Sequence, residues 1–371
     1  MHKRLFSLLL CIVIIAGLFT SQAFADDVAP PETDEAPAPE ISVVNTDEFI
    51  AIIDSLLEEN GLAGKDKVSV GFEYTKTGET AFYNGDAWYY TASLFKLPLG
   101  MMLAHDVMNG EDPTGTYAGG VDNVQWEMLV HSANKISYTV ASFYYGWDKV
   151  RQNEMALSGW SEDELPERFL KATSYQEYSC RFLTSILEEL YFNADQYPGV
   201  IDLLKEASPG EFLKKNDLDI PVAQKYGAFS ENNTIVDHIT GIVYTDTPIL
   251  VTVLTKNIGY NSASALSGKI CEQLVAYTKE LDAAYDEELR AYEESIAAQQ
   301  PPEVTETPYE EPVPSPEAPV ITPEPEESEA SYGLSPVLCF VLVCVLCAAV
   351  VILIVMNNNK KRKVNSRHLR R

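Results

Sequence analysis

A serine and a lysine three residues apart, Ser93 and Lys96, have the clearest potential for covalent chemistry in this sequence. They lie at the start of a predicted helix, where positions i and i+3 share a face, so the Lys96 amine can reach the Ser93 hydroxyl. A buried lysine near other cations loses its proton readily and can then act as a base. Backbone N–H groups at the helix N-terminus also favour a developing oxyanion. The pair indicates a nucleophilic serine, although S-x-x-K alone is more often part of a surface helix.

Two later motifs add polar groups that suit the same chemistry. Ser132 and Asn134 occupy a predicted turn between helices, which could present one as a proton shuttle and the other as an amide donor. Lys225 and Gly227 interrupt an otherwise apolar predicted strand, and this pattern indicates a ligand lying along the strand edge. Taken singly, Ser132 and Asn134 are more simply explained as a helix cap, and Lys225 as a solvent-facing lysine.

Together the three motifs occur in the order S-x-x-K, S-x-N and K-x-G, each on the expected type of element. In this the sequence resembles the serine β-lactamase and penicillin-binding protein superfamily, most closely the class A β-lactamase domains. The likeness extends over about residues 45–280. It includes the run TASLFKLPLG and a helix opened by Ala172-Thr173-Ser174 after an Ω-loop.

The resemblance implies a role for each catalytic position. Ser93 is the nucleophile that becomes acylated, and Lys96 is its base. Ser132 relays a proton to the leaving nitrogen. Lys225 holds Ser132 and the substrate carboxylate electrostatically. No metal and no organic cofactor are implied.

The substrate-binding positions implied by the resemblance are Asn134, Tyr226, Gly227 and Ala228. Asn134 binds the side-chain amide of the substrate, and the backbone N–H groups of Ser93 and Ala228 form the oxyanion hole. Tyr226 departs from the family, which has serine or threonine there. The hydroxyl beside the substrate carboxylate is therefore lost or moved.

A second departure concerns deacylation. Class A enzymes use a glutamate and a nearby asparagine of the Ω-loop to activate the deacylating water. In the acidic segment 161–168, Glu164 and Glu167 are the candidate bases, but the Glu–Asn spacing of the family is missing. Solvent-facing acids in an acidic domain are the alternative. Without that water, an acyl-enzyme formed from a β-lactam is long-lived, as in penicillin-binding proteins.

The elements that must position these residues follow from hydrophobic patterning. We expect an α+β, β-lactamase/transpeptidase-like domain in which a five-stranded antiparallel sheet is flanked by helices and joined to an all-helical subdomain. The predicted elements are helix Asp47–Glu59 with Thr46 as N-cap, strands Lys67–Tyr74 and Glu79–Tyr83, helix Leu94–Met108, a mainly helical stretch 124–215, strands Pro221–Phe229, Ile235–Tyr244 and Ile249–Leu254, and a long helix over about 263–298.

The two ends of the chain predict export and membrane attachment. A basic start, an apolar run and Ala23-Phe24-Ala25 are typical of a cleaved signal peptide. An uncharged stretch followed by a Lys/Arg-rich tail predicts a single transmembrane helix with the C-terminus inside. The predicted organisation is signal peptide 1–25, disordered acidic segment 26–41, hydrolase domain 42–298, Pro/Glu-rich stalk 299–335, transmembrane helix 336–356 and cytoplasmic tail 357–371. This places the domain outside the cytoplasmic membrane, at a bacterial cell surface.

Charge and cysteine content exclude other classes of function. All 55 acidic residues but only 18 of the 27 Lys and Arg lie between the signal peptide and the predicted span, so the domain repels nucleic acid. Cys180 and Cys271 are the cysteines outside the signal peptide and span, and no Cys/His cluster accompanies them. They could form a disulfide, but two buried thiols are the favoured interpretation.

The sequence thus predicts a membrane-tethered serine hydrolase that acts through an acyl-serine intermediate on β-lactam or cell-wall peptide amides. Two alternatives stay open. One is a D-alanyl-D-alanine carboxypeptidase or penicillin-binding protein, and the other is a non-catalytic module that binds wall peptide.

Overall fold

The computed structural model describes residues 39–62, 66–115, 117–172, 176–231 and 233–299. The predicted signal peptide, transmembrane helix and cytoplasmic tail lie outside these residues. So do the predicted stalk beyond Gln299 and most of the predicted disordered segment. Within the described part of the chain, no helix is long and apolar enough to cross a bilayer.

The strands form one large and one small antiparallel sheet. In chain order they are β1 (Val68–Tyr74), β2 (Glu79–Tyr83), β3 (Tyr89–Tyr90), β4 (Glu177–Tyr178), β5 (Val222–Glu231), β6 (Thr234–Val243) and β7 (Ile249–Thr255). The large sheet has the order β2-β1-β7-β6-β5, which leaves β5 at an edge, and β3 pairs with β4 separately. The five-stranded antiparallel sheet predicted from the sequence is confirmed.

Helices cover both faces of the large sheet. In chain order they are α1 (Thr46–Glu59), α2 (Lys96–Met108), α3 (Gly120–Leu129), α4 (Asn134–Thr139), α5 (Trp147–Ser158), α6 (Glu167–Leu170), α7 (Cys180–Phe192), α8 (Val200–Glu206) and α9 (Tyr260–Gln299). Short 3₁₀ helices precede α2 and α6 and follow α8, and a π-helix, Val140–Tyr145, follows α4. The helices from α3 to α8 correspond to the mainly helical stretch predicted over 124–215.

Alternation along β1 explains why the sheet has a core on each face. Val70 and Phe72 point toward α1 and α9, where Phe72 stacks on Phe49 with ring centroids 5.8 Å apart. On the other face, a Cβ at Gly71 would lie 2.6 Å from Thr184 Oγ1, so glycine is what allows α7 to pack closely. Each large apolar side chain buried in these cores contributes about 1.5–3 kcal/mol.

Three local predictions about where helices begin differ from the structure. Asn45, not Thr46, is the N-cap of α1, because its side chain accepts hydrogen bonds from Asp47 N and Glu48 N. The first helical turn before Lys96 is a 3₁₀ helix, Ala92–Phe95. The helix predicted to open at Ala172-Thr173-Ser174 begins instead at Cys180, after the Ser179 hydroxyl accepts from Phe182 N.

The two cysteines of the domain are free and buried, as the favoured interpretation expects. Burial raises the pKa of each thiol to about 12. Both are therefore small apolar side chains in the two cores.

A buried acid on β1 predicts a pH dependence of stability. Glu73 is fully buried, and neither carboxyl oxygen has a hydrogen-bond partner in the described structure. Burial, with a smaller contribution from Glu188, raises its pKa from 4.5 to about 8. The folded-state pKa of Glu73 lies above its unfolded value. The free energy of unfolding that is linked to its protonation is therefore fully present below pH 4.5 and is lost as the pH rises to about 8. The total loss is on the order of 3–5 kcal/mol.

Glu73→Gln removes the titration and is expected to flatten this part of the stability profile. Urea unfolding at several pH values between 5 and 8.5 measures the free energy of unfolding across this range. Glu48→Gln, on the exposed first turn of α1, is the matched control. A Glu73→Gln variant that loses stability with pH as steeply as the unchanged protein would show that another group is responsible.

Candidate active site

The segment that carries Ser93 is fixed on both sides of the residue. Thr91 N donates to Gln176 O at 3.0 Å, which ties the end of β3 to the segment leading into β4. Ala92 has a left-handed φ of +47°, so the chain turns sharply into the 3₁₀ helix. Leu94 and Phe95 are buried and anchor that helix, whereas Ser93 is half-buried. The turn therefore presents the Ser93 side chain at the surface of a rigid segment.

Lys96 is fully buried and lies at the centre of a polar cluster. Its Nζ donates to Ser132 O at 2.5 Å and to Asn134 Oδ1 at 2.7 Å. Ser132 Oγ lies 3.3 Å away. Among the described residues no hydrogen bond joins Lys96 to Ser93, although both lie on the same turn. Burial lowers the pKa of Lys96 to about 7, which makes a neutral amine available near neutral pH.

The turn between α3 and α4 delivers both polar groups of the second motif, as predicted. Ser132 has a left-handed φ of +57°, a conformation that costs a non-glycine residue about 1–3 kcal/mol. The hydrogen bond from Ala133 N to Glu127 O holds the turn in this conformation. Asn134 is exposed, and its Oδ1 is occupied by Lys96. The Asn134 NH₂ group is therefore the part of the amide available to a ligand.

Lys225 reaches the same serine from the sheet. It is fully buried, and its Nζ donates to Ser132 Oγ at 3.0 Å and to Tyr226 O at 2.9 Å. Burial, together with the charge of Lys96, holds its pKa well below the usual range. Two lysines from different elements thus meet at one hydroxyl, which is an arrangement suited to proton transfer.

Gly227 brings the edge strand against the nucleophile. A Cβ at this position would lie 2.9 Å from Thr91 O and 3.0 Å from Ser93 N, so no other residue fits without movement. Ala228 is the next residue on β5 and is exposed. The predicted oxyanion donors, Ser93 N–H and Ala228 N–H, therefore belong to segments in direct contact.

Comparison with known proteins agrees with the fold described above. The family model described as the β-lactamase enzyme family matches residues 49–116, which include Ser93 and Lys96. The extended-spectrum β-lactamase TLA-3 is 17% identical over 63% of this chain and 99% of its own, with a TM-score of 0.50. A β-lactamase from Sphaerobacter thermophilus is 15% identical over 63% of this chain and 98% of its own, with a TM-score of 0.50. An ancestral class A β-lactamase is 15% identical over 62% of this chain and 99% of its own, with a TM-score of 0.50.

The described domain has the fold of the class A β-lactamases, and residues 49–116 are similar to the β-lactamase enzyme family. The resemblance stated from the three motifs is thereby confirmed at the level of the fold, and the family match covers the first of the motifs. No curated protein matches the chain by sequence.

The Tyr226 side chain of this β-lactamase-like domain leaves β5 on the face opposite to that of Lys225, because successive side chains of a strand alternate. Its ring stacks on Phe212, with centroids 6.1 Å apart and planes at 20°, and Phe212 in turn contacts Tyr260 edge-on. The ring also lies 4.5 Å from Lys225 Nζ, within range of a cation–π contact. Tyr226 therefore packs toward α9 with its ring close to the Lys225 amine. Its role in substrate binding stays a prediction.

The two candidate deacylation bases are engaged elsewhere. Glu164 is exposed and accepts from Ser161 N and Ser161 Oγ, both at 2.8 Å, which lowers its pKa. The Glu167 side chain is 77% exposed and forms an ion pair with Lys171. Across the described residues, neither carboxylate has a hydrogen bond or ion pair with Ser93, Lys96 or their partners. Their assignment as bases stays a prediction without geometric support.

Sequence reasoning missed a buried carboxyl group close behind the nucleophile segment. Glu154 on α5 is fully buried and accepts from Tyr178 Oη at 2.7 Å and Gln176 Nε2 at 2.8 Å. Burial raises its pKa to about 8. Since Gln176 O accepts from Thr91 N, the network links α5 to the segment before Ser93. Nothing in the run WDKVRQNEMALS distinguishes Glu154 from a solvent-facing acid.

His238 is a second positioning group. Its Nδ1 accepts from Thr255 N at 3.0 Å, so the ring proton is on Nε2, which donates to Tyr90 O at 2.9 Å. Burial lowers the pKa of this imidazole to about 4. The neutral ring therefore ties β6 and β7 to β3, just ahead of the nucleophile turn.

Proposed function

We propose that this protein is an extracytoplasmic, membrane-tethered serine hydrolase of the β-lactamase type, acting through acyl-Ser93 on β-lactam or cell-wall peptide amides. The observation that carries the proposal is the convergence of Lys96 and Lys225 on the Ser132 hydroxyl. Burying two lysine side chains at one hydroxyl costs the fold stability, so the cluster is better explained by a chemical role than by packing. Proton transfer beside a nucleophile is such a role.

Acylation follows from these groups in order. Neutral Lys96 takes the Ser93 proton, and Ser93 Oγ forms a bond to the carbonyl carbon of the substrate. The resulting oxyanion accepts hydrogen bonds from the N–H groups of Ser93 and Ala228. The C–N bond then breaks, and the leaving nitrogen receives the Ser132 proton, which a lysine ammonium replaces. The Asn134 amide positions the acyl side of the substrate.

Penicillin-binding behaviour is the second candidate, favoured by the positions of Glu164 and Glu167. An ester-bound acyl group is hydrolysed when a carboxylate holds a water at about 2.6–3.2 Å. A carboxylate on a solvated loop does not maintain that geometry. We therefore infer that a penicillin adduct of Ser93 clears slowly. A carboxypeptidase for D-alanyl-D-alanine peptides uses the same acyl-serine chemistry.

A fluorescent penicillin tests the function directly. Incubated with the full chain, it should give a covalent adduct that survives denaturing electrophoresis and maps to the Ser93 peptide. An absence of any adduct under conditions where the protein is folded would favour the third interpretation, a non-catalytic module that binds wall peptide. Tyr226 favours this third interpretation, because its ring packs on Phe212 and the short hydroxyl side chain of the family is missing at this position.

The deacylation prediction concerns Glu164 and Glu167. Because both carboxylates are engaged away from Ser93, changing either to glutamine should leave the adduct lifetime within about twofold of the unchanged protein. Intact-protein mass spectrometry after removal of excess penicillin measures the decay. Glu162→Gln, in the same exposed 3₁₀ helix, is the matched control. A more than tenfold longer lifetime in Glu164→Gln or Glu167→Gln would identify that residue as the base.

The membrane tether is a proposal that rests on the sequence alone. Its supports are the uncharged run 336–356, the Lys/Arg-rich tail and the cleavage signal at Ala23-Phe24-Ala25. Protease added to intact cells is expected to cut within 299–335 and release a soluble fragment that still reacts with penicillin. A fragment that appears only after the cells are lysed would contradict this topology.

A further inference from the structure

A large cavity lies apart from the Ser93 cluster. Its volume is about 710 Å³, which is within the range of roughly 300–1,000 Å³ that small-molecule sites occupy. The segment 207–221, between α8 and β5, forms most of its wall, and α9 closes one side through Cys271. The apolar part of the lining includes Leu213, Leu218, Ile220, Val222, Val243 and Cys271.

The wall segment is held in a costly conformation. Ser208, Phe212, Asp217 and Asp219 all have a left-handed φ, between +46° and +55°. Non-glycine residues persist there only when surrounding contacts compensate the strain. Gln224, fully buried at the start of β5, supplies such contacts. Its side chain donates to Ser208 O and Glu211 O and accepts from Leu213 N, at 3.0–3.1 Å.

One cation in this wall lacks a counter-ion. Lys205 pairs with Asp202 and Lys215 pairs with Glu211. Lys214 is half-buried, and within the described parts of the chain no carboxylate lies within ion-pair distance of it. Its Nζ donates to Lys205 O at 2.6 Å and Ala207 O at 2.7 Å. An ammonium has three N–H donors, so one is left for a ligand.

We propose that this cavity binds a small aliphatic monoanion, a medium-chain carboxylate, whose charged end pairs with Lys214 and whose chain lies against the apolar lining. A carboxylate supplies the counter-ion that Lys214 lacks, and an aliphatic chain suits the apolar lining of the cavity. Asp217 and Asp219 on the exposed rim disfavour a second negative charge, so a monoanion fits better than a dianion. The proposal is independent of the activity at Ser93.

Calorimetric titration of the full chain with octanoate tests the proposal, with octan-1-ol and acetate as comparison ligands. Octanoate is expected to bind at least about tenfold more tightly than octan-1-ol, because a charge-assisted hydrogen bond is worth that much. Acetate should give no measurable binding, because it lacks the apolar chain. Lys214→Gln keeps a donor for the backbone carbonyls but has no charge, so its octanoate affinity should fall to that of octan-1-ol. Lys149→Gln, an exposed lysine on α5, should bind octanoate normally.

A second pair of variants tests the cavity should Lys214→Gln fail to fold. Leu218, half-buried in the wall, becomes a negative charge in Leu218→Glu and a neutral group of the same shape in Leu218→Gln. Leu218→Glu should weaken octanoate binding at least tenfold relative to Leu218→Gln. Any one of three results would overturn the proposal. The Leu218 pair could bind octanoate equally, Lys214→Gln could bind octanoate as tightly as the unchanged protein, or acetate could bind as tightly as octanoate.

Discussion

Replacing Ser93 with alanine is expected to abolish covalent labelling by penicillin. The adduct is an ester to Ser93 Oγ, so without that atom no covalent bond can form, and the labelling rate should fall more than about 10³-fold. The fold should be retained, because no side-chain hydrogen bond of Ser93 is present in the described structure and the residue is only half-buried. Such substitutions usually change the free energy of unfolding by no more than about 0.5 kcal/mol.

Mass spectrometry of the intact chain measures the labelling, and thermal unfolding verifies the fold. Ser142→Ala is the matched control, since Ser142 is an exposed hydroxyl that accepts from Trp147 Nε1 far along the helical block. That variant should label normally. An adduct of unchanged rate in folded Ser93→Ala would move the nucleophile to another residue and remove the basis of the proposed function.

The motifs could be predicted from the sequence because each combines residue types with spacing that a single element explains. S-x-x-K places two side chains on one helical face, and K-x-G alternates along one strand. The burial of both lysines and their meeting at Ser132 involve three elements distant in sequence. That geometry follows from packing of β5 against the nucleophile turn, where Gly227 gives only an indirect signal.

The remaining parts of the site depend on tertiary contacts that leave no pattern in the sequence. Glu154 has the spacing of an ordinary helical acid, and its burial comes from Gln176 and Tyr178 more than twenty residues later. The two-residue strands β3 and β4 are too short to produce alternation. The orientation of Tyr226, by contrast, could have been derived from strand alternation, given that Lys225 points into the site.

The pH dependence of acylation is expected to identify Lys96 as the base. Burial lowers its pKa to about 7, and the neutral amine is the form that accepts the Ser93 proton. The rate of labelling should therefore rise with pH through about 7 and level off above it. Lys225 lies at the same hydroxyl, so the two lysines titrate as a coupled pair and the observed midpoint belongs to both.

Two variants of Lys96 separate its charge from its basicity. Lys96→Met removes both, whereas Lys96→Arg keeps a positive charge that does not titrate below pH 12. A base role predicts that both variants lose more than about 10³-fold in labelling rate. General-base catalysis contributes roughly 10²–10⁴-fold, and the hydrogen bonds from Lys96 to Ser132 are disturbed as well. A purely electrostatic role predicts that Lys96→Arg retains most of the rate.

Lys135→Met, on the exposed face of α4, is the control for charge near the site and should leave the profile unchanged. Stopped-flow or quenched labelling between pH 5.5 and 9, with the folded fraction checked at each pH, measures all four proteins. A flat profile in the unchanged protein would mean that Lys96 is protonated throughout this range. The base would then have to be a different group, and the convergence of two lysines on Ser132 would have to serve the leaving group alone.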